Sequence, residues 1–337
     1  MSLSSFFPFS MFSHLKQRLD NDLNKTLKAL AAHDEKSEYL FWLSKQLPGE
    51  SLTETKRRVF LNLPKAEGEL RLIQLGNAYL LNNLNNIAQK AGVTLFPVYG
   101  TLLGCVRHHG FIPWDDDIDI GLFRNDFVKL CDAMKGQSEL TLHKYYSPAY
   151  VTTLVKVKFV DSETFWVDLW IYDRVKISKD LENTWGLTQK LQRKYYDKLR
   201  EAMKRYYDIE GRGIRPLRDE RIDVETETVE KEMLAQSASW YGVSDGDGVC
   251  LSFTFDECYR KNDKVLPCDT ILPFKLDGLV FEGEQYASVN EPDERLKAQY
   301  GEYLSFPNSI SQSHSSEIGE LTSTDYQLLK RLGITVS

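Results

Sequence analysis

The stretch Tyr99–Phe123, Y-G-T-L-L-G-C-V-R-H-H-G-F-I-P-W-D-D-D-I-D-I-G-L-F, decides how this chain folds. Asp115, Asp116, Asp117 and Asp119 fall within five positions and are embedded in apolar residues. Acidic runs on a solvated surface usually sit among polar residues. Here Ile118 and Ile120 alternate with Asp117, Asp119 and Gly121. On a strand, alternate side chains share a face. A strand at 117–122 therefore points Asp117 and Asp119 the same way and buries both isoleucines behind them. Two like carboxylates on one face repel and are costly without a cation. A hard divalent ion bound through oxygen, Mg2+ above all, relieves that cost. The pattern points to metal-dependent phosphoryl or nucleotidyl transfer. The plainer alternative is a strand end whose aspartates face water.

Working outward, Val93–Tyr99 reads as a strand, and Gly100-Thr101 opens a short helix that runs through Arg107 and stops at Gly110. Glycine lets a backbone approach closely, and helix N-terminal amides bind anions. Gly100 and Thr101 are therefore candidates for the phosphate side of a site. Arg107 is a candidate for holding phosphate, because its fork matches phosphate oxygens. His108 and His109 read equally as ligand contacts or as surface residues at a helix end. After the acidic run, Asn125 or Asp126 can cap a helix with Phe127, Leu130, Cys131 and Met134 inward. Strands follow at about 151–160 and 165–172. The first carries Lys156 and Lys158 on one face, as added positive charge or as exposed strand lysines. The second, F-W-V-D-L-W-I-Y, carries Asp168 amid apolar and aromatic residues, where an unpaired charge is expensive. If this strand lies beside 117–122, Asp168 joins the pair as a third carboxylate, either ligating metal or accepting a proton.

The 337 residues carry a net charge of −7, which argues against a generally nucleic-acid-binding surface. Five scattered cysteines, Cys105, Cys131, Cys250, Cys258 and Cys268, form no C-x-x-C pair and support neither a disulfide framework nor a common zinc signature. A reducing, cytoplasmic setting fits. No segment reaches the ~20 apolar residues that span a bilayer. The aromatic start, with Phe6, Phe7, Phe9, Met11 and Phe12, lacks the pattern of a signal peptide and reads as a core-covering flap or a contact with a membrane surface.

Helical periodicity covers 13–47, closed by Pro48-Gly49, and again about 67–90, closed by Gly92. From about 180 to 240 the chain is charged and tyrosine-rich, with helices expected at 180–210 and 220–241 and the tyrosines inward. Residues 245–290 read as β, 294–300 as a short helix, and the serine-rich 309–316 as a mobile tail.

The run Y-G-T-L-L-G-C-V-R-H-H-G-F-I-P-W-D-D-D-I-D-I-G closely resembles the LicD family, which includes bacterial phosphocholine transferases and the fukutin-related phosphotransferases. V-K-V-K-F-V-D-S-E-T, F-W-V-D-L-W-I-Y-D, L-P-F-K-L-D-G-L-V-F-E-G-E-Q-Y and A-Q-Y-G-E-Y-L-S-F-P resemble later family blocks in the same order, so that the resemblance covers roughly 70–175 and 270–310. It implies an α+β, nucleotidyltransferase-like mixed sheet with flanking helices. It also implies transfer of a phospho-alcohol from a CDP-activated donor to a sugar hydroxyl, with Mg2+ or Mn2+. Asp117 and Asp119 carry over as metal ligands, Asp168 as the third carboxylate, and Tyr300, Gly301 and Tyr303 as part of a donor or acceptor pocket. His109 departs from the lysine or polar residue expected there. The expected division is an N-terminal helical extension (1–65), a catalytic core (66–178), a helical insertion (179–242) and a C-terminal part completing the domain (243–337). The acceptor implied is a cell-surface glycan, such as lipooligosaccharide or capsule, lipid-linked at the inner membrane surface, with the protein peripheral to that membrane. Phosphocholine ranks ahead of glycerol phosphate, ribitol phosphate and phosphoethanolamine. NTP-dependent nucleotidyl transfer and a nucleotide-binding scaffold without turnover are the alternatives.

Overall fold

The structure is a computed structural model, and it describes residues 36–147, 152–179, 181–203, 220–251, 265–304 and 321–335. The helical reading of 13–35, the aromatic start, Cys258, the basic-aromatic positions 204–207 and the serine-rich tail lie outside the described residues.

The chain divides into two compact units. The smaller holds residues 1–62 and 304–306. Its described part contains helix α1 at 36–45 and helix α2, Leu52–Leu61. The pattern behind α2 is a capping box: the Ser51 hydroxyl accepts from the Glu54 amide, and the Glu54 carboxylate accepts from the Ser51 amide. Sequence periodicity runs on to residue 47 and passes over this second helix.

The larger unit is α+β. Helix α3 (Gly68–Lys90) is followed by strand β1 (Phe96–Pro97), helix α4 (Tyr99–His108), strand β2 (Asp119–Phe123) and helix α5 (Arg124–Met134). Strands β3 (Leu140–Ser147), β4 (Thr152–Phe159) and β5 (Trp166–Val175) come next, then helices α6 (Leu181–Met203) and α7 (Glu220–Ser237). The remainder is β6 (Gly248–Leu251), β7 (Leu266–Pro267), β8 (Lys275–Phe281), β9 (Glu284–Ser288), α8 (Pro292–Tyr300) and α9 (Ser323–Arg331).

One mixed sheet runs in the order β1-β2-β5-β4-β3, with β6 and β7 continuing from the C-terminal end of β5. β2 and β5 are parallel, and the other pairs are antiparallel. Ile120, Leu122, Val167, Leu169, Ile171, Val155 and Val157 fill the face opposite the acidic residues, and all are buried. Helices α3 and α5 lie against this apolar layer; Gly76 of α3 comes so near the sheet that a Cβ there would stand 2.5 Å from the Phe165 ring. Tyr195, Leu199, Met203, Met233 and Tyr241 form a second cluster with Val175, Cys250 and Val265, so the tyrosines of α6 do face inward.

Several boundaries differ from the sequence reading. The strand expected over 93–99 is only Phe96–Pro97. Pro97 has no N–H to continue a ladder, and Tyr99 turns into α4 with φ +46°, a left-handed value. The acidic strand begins at Asp119 rather than 117, so Asp117 sits in the approach loop. Helix α5 has Phe123 as its cap residue and no side-chain cap, so neither Asn125 nor Asp126 caps it. Strand β3 and helix α9 have no counterpart in the sequence reading.

Candidate active site

Parallel pairing sets Asp119 of β2 opposite Asp168 of β5, and antiparallel pairing sets Lys156 of β4 opposite Asp168. Three strands thus present a carboxylate, a carboxylate and an ammonium in one row on one face of the sheet. Asp117 completes the group from the preceding loop. Asp117, Asp119 and Asp168 each offer a carboxylate oxygen, and these oxygens lie within 4.8 Å of one another. Asp115, Asp116 and Asp117 form a second, overlapping set of the same kind.

The electrostatics follow from that crowding. Burial, then the charges of Asp117 and Asp168, hold the Asp119 carboxyl far above the usual carboxylate range. Burial raises Asp168 to about 6, against the lowering effect of Lys156, whose Nζ is 3.5 Å away. Asp115 is likewise pushed well up, by burial and then by Asp117. An all-oxygen set of crowded, desolvated carboxylates suits a hard divalent cation, which removes the repulsion that protonation otherwise relieves.

Neighbouring side chains fix the carboxylates. Trp170 Nε1 donates to Asp119 Oδ1 at 2.7 Å, and Trp166 Nε1 donates to Asp168 Oδ2 at 3.0 Å. The Thr101 hydroxyl accepts from the Asp119 amide at 2.7 Å, so it ties α4 to the start of β2. Gly100 lies directly against the acidic loop: a Cβ there would stand 3.0 Å from Asp115 Oδ2 and 3.9 Å from Asp119 Oδ2. Helix α3 holds the loop from behind. Gln74 Nε2 donates to the Asp115 carbonyl and Asn77 Nδ2 to the Asp116 carbonyl, each at 2.8 Å, while Asn77 Oδ1 accepts from the Trp166 amide at 3.0 Å. Asn77 therefore joins the acidic loop to β5.

Of the expected cations, Lys156 alone stands in the carboxylate row. Lys158 is one pleat farther along β4, opposite Trp166, with its ammonium 2.6 Å from Glu163. Arg107 is buried and donates to the Tyr303 carbonyl at 2.9 Å; burial lowers its pKa to about 10, against the charges of Tyr300, Asp115 and Tyr303. This bond ties the 300–303 segment to α4. His109 takes a left-handed conformation, φ +53°, at the end of α4.

Sequence reading passed over Gln74 and Asn77, and passed over Trp166 and Trp170 as hydrogen-bond donors to the carboxylates. A signal existed for each. Gln74 and Asn77 are polar on a helix face otherwise lined by Ile73, Leu80, Leu81 and Leu84. Trp166, Asp168 and Trp170 alternate on one strand, so both rings share the aspartate's face.

Comparison with known proteins bears on the same region. Residues 92–205 match the model for "LicD/FKTN/FKRP, nucleotidyltransferase domain". That match runs through α6, past residue 175 where the sequence resemblance was read to stop. The chain is similar to the lipopolysaccharide cholinephosphotransferase LicD of Haemophilus influenzae, 22% identical over 260 residues that cover 72% of this chain and 94% of that protein. It is also similar to the human ribitol 5-phosphate transferase FKRP, 31% identical over 88 residues that cover 25% of this chain and 18% of that protein. An uncharacterised protein of Rickettsia prowazekii, RP689, is 35% identical over 71 residues, or 27% of its length. Residues 92–205 therefore match a LicD-type nucleotidyltransferase domain, and similarity to LicD of Haemophilus influenzae extends beyond it over most of the chain.

Proposed function

We propose that the protein transfers a phospho-alcohol, phosphocholine as first choice, from a CDP-activated donor to a sugar hydroxyl of a cell-surface glycan. The observation that carries this reading is the trio Asp117, Asp119 and Asp168, with three carboxylate oxygens within 4.8 Å on a desolvated sheet face. The two named transferases among its relatives, one of choline phosphate and one of ribitol phosphate, share movement of an alcohol phosphate and support the class.

Asp117, Asp119 and Asp168 would hold Mg2+ or Mn2+. When bound, such a cation offsets negative charge on the transferring phosphoryl group and on the departing CMP. The acceptor hydroxyl oxygen attacks the alcohol-bearing phosphorus, the bond from that phosphorus to the CMP oxygen breaks, and the hydroxyl proton passes to a carboxylate. Asp168 is placed to take that proton if Asp117 and Asp119 alone hold the cation; as a third ligand it would instead leave the proton to another group. Lys156, beside it at 3.5 Å, supplies positive charge for donor phosphate. Gly100, lacking a side chain, lets the carboxylates of Asp115 and Asp119 lie close to the N-terminal turn of α4. Arg107 acts at one remove, by holding the backbone of Tyr303.

The test is a panel of CDP-choline, CDP-ethanolamine, CDP-glycerol and CDP-ribitol with lipid-linked and soluble glycan acceptors, followed by mass spectrometry. A phospho-alcohol adduct with release of CMP is expected. Asp119→Ala should abolish turnover with an unchanged circular dichroism spectrum; near-normal turnover in this variant would sink the assignment. Adducts bearing a nucleoside monophosphate would instead favour nucleotidyl transfer.

A further inference from the structure

Asp119 and Asp168 each commit one carboxylate oxygen to an indole. Trp170 Nε1 donates to Oδ1 of Asp119 at 2.7 Å, and Trp166 Nε1 donates to Oδ2 of Asp168 at 3.0 Å. Both rings project from β5 on the face that carries Asp168, two residues to either side of it. Each is packed in place. The Trp170 ring centroid lies 4.5 Å from that of Tyr99, and the Lys156 ammonium sits 4.2 Å from the centroid of Trp166. The second oxygen of Asp119 looks toward Gly100. The second oxygen of Asp168 faces Lys156 at 3.5 Å.

An oxygen held by a fixed indole donor has one of its lone pairs occupied and its direction set, which disfavours even, two-oxygen ligation of a cation by that carboxylate. Ca2+ takes six to eight oxygens and often uses both oxygens of a carboxylate, whereas Mg2+ requires a tight octahedron and few protein ligands. Groups that hydrogen-bond to ligating carboxylates set how those ligands are presented. Resting on the divalent-metal reading above, we propose that Trp170 and Trp166 are positioning residues that restrict Asp119 and Asp168 to one ligating oxygen each. They thereby make the site select small six-coordinate cations, Mg2+ and Mn2+, over Ca2+. Their indole N–H groups, rather than their ring area alone, carry this role.

The experiment is a binding titration with Mn2+, followed by the paramagnetic resonance signal of the free ion, and then displacement by Ca2+. Wild-type protein is compared with Trp170→Phe, Trp166→Phe and Asp119→Ala, without donor or acceptor. Wild type is expected to hold Mn2+ against a large excess of Ca2+, and Asp119→Ala to lose it. Each tryptophan variant should weaken Mn2+ by roughly 10- to 100-fold and move the Ca2+/Mn2+ preference toward Ca2+ by about tenfold or more. Because Trp170 also packs on Tyr99, a second variant separates packing from hydrogen bonding. Replacement of Trp170 by β-benzothienylalanine keeps the bicyclic ring and puts sulfur in place of the N–H. It should show the same shift in preference with a near-normal melting temperature. An unchanged preference in this variant and in Trp166→Phe overturns the proposal while the metal reading stands. If wild type holds no Mn2+, or Asp119→Ala holds it equally well, the metal reading falls and the proposal with it.

Discussion

At the scale of single residues, the site is built against its own stability. Asp119 and Asp168 are crowded carboxylates in a desolvated row with Lys156, and burial is the first cause of their raised pKa values. The sign of the consequence follows from proton counting. Between the ordinary carboxylate value of 3.8 and about 6, the folded protein keeps a proton on Asp168 that the unfolded chain has released. Stability of the metal-free protein therefore falls as pH rises through that window, with Asp168 contributing up to about 3 kcal/mol. Asp119 adds to the slope in the same direction. Urea denaturation in EDTA between pH 4 and 7 checks this. Asp168→Asn should flatten the slope and be more stable than wild type at pH 7, while losing turnover. A slope equal to wild type in that variant would place the titrating group elsewhere.

At the scale of elements, the acidic loop is shaped by helices that precede it in the chain. Gly104 of α4 allows the loop backbone to fold close: a Cβ there would stand 2.4 Å from the Gly110 carbonyl oxygen. Helix α3 contributes two side-chain amides to the carbonyls of Asp115 and Asp116. Asn77 also accepts from the Trp166 amide, so its loss leaves a buried donor and a buried acceptor without their partners. Asn77→Ala should cost about 2–4 kcal/mol by thermal melting, since each buried polar group left unmade costs about 1–3 kcal/mol. It should also lower kcat more than KM, because it displaces both the loop bearing Asp117 and the strand bearing Asp168. Asn77→Asp should recover none of the lost stability, because it buries a further carboxylate beside the acidic loop and sets an oxygen against the Asp116 carbonyl.

At the scale of the larger unit, segments far apart in sequence clamp the site. The tip of the β8–β9 hairpin carries Glu282, whose carboxylate accepts from both terminal nitrogens of Arg71, from Lys65 and from the Phe111 amide. Arg71 also donates to Gln74, so the clamp is continuous with the amide that holds Asp115. Burial pushes the Glu282 pKa up, but hydrogen bonds from Arg71 and Lys65 outweigh it and leave the value below 4.5. Its stabilisation is therefore present above that pH and fades as pH falls. Glu282→Ala should cost about 3–5 kcal/mol at pH 7, the penalty for stranding a buried partner. The gap to wild type should narrow below pH 4.5. Hydrogen exchange should quicken across 109–117 in the variant; unaltered exchange there would confine the clamp to the hairpin. Asp325 at the start of α9 makes a comparable tie, accepting from Ser162 and Thr164 in the β4–β5 turn.

The sequence by itself determined the acidic face, because period-two alternation around Ile118 and Ile120 is local and survives without any knowledge of partners. It also determined that Asp168 belongs to a buried strand, since F-W-V-D-L-W-I-Y leaves no solvated place for that charge. The capping boxes at Ser51–Glu54 and Thr322–Asp325 are short-range patterns of the same kind, which the periodicity reading left unused. Only the tertiary structure decided that Asp119, Asp168 and Lys156 share one row, because register is a property of strand pairing. Only it separated Lys156 from Lys158, and showed Arg107 tied to the Tyr303 carbonyl and Thr101 to the Asp119 amide. Gln74, Asn77 and Glu282 act on backbone groups or side chains across long sequence separations. Such contacts impose no periodicity on the chain, so they exist only once the sheet has been folded.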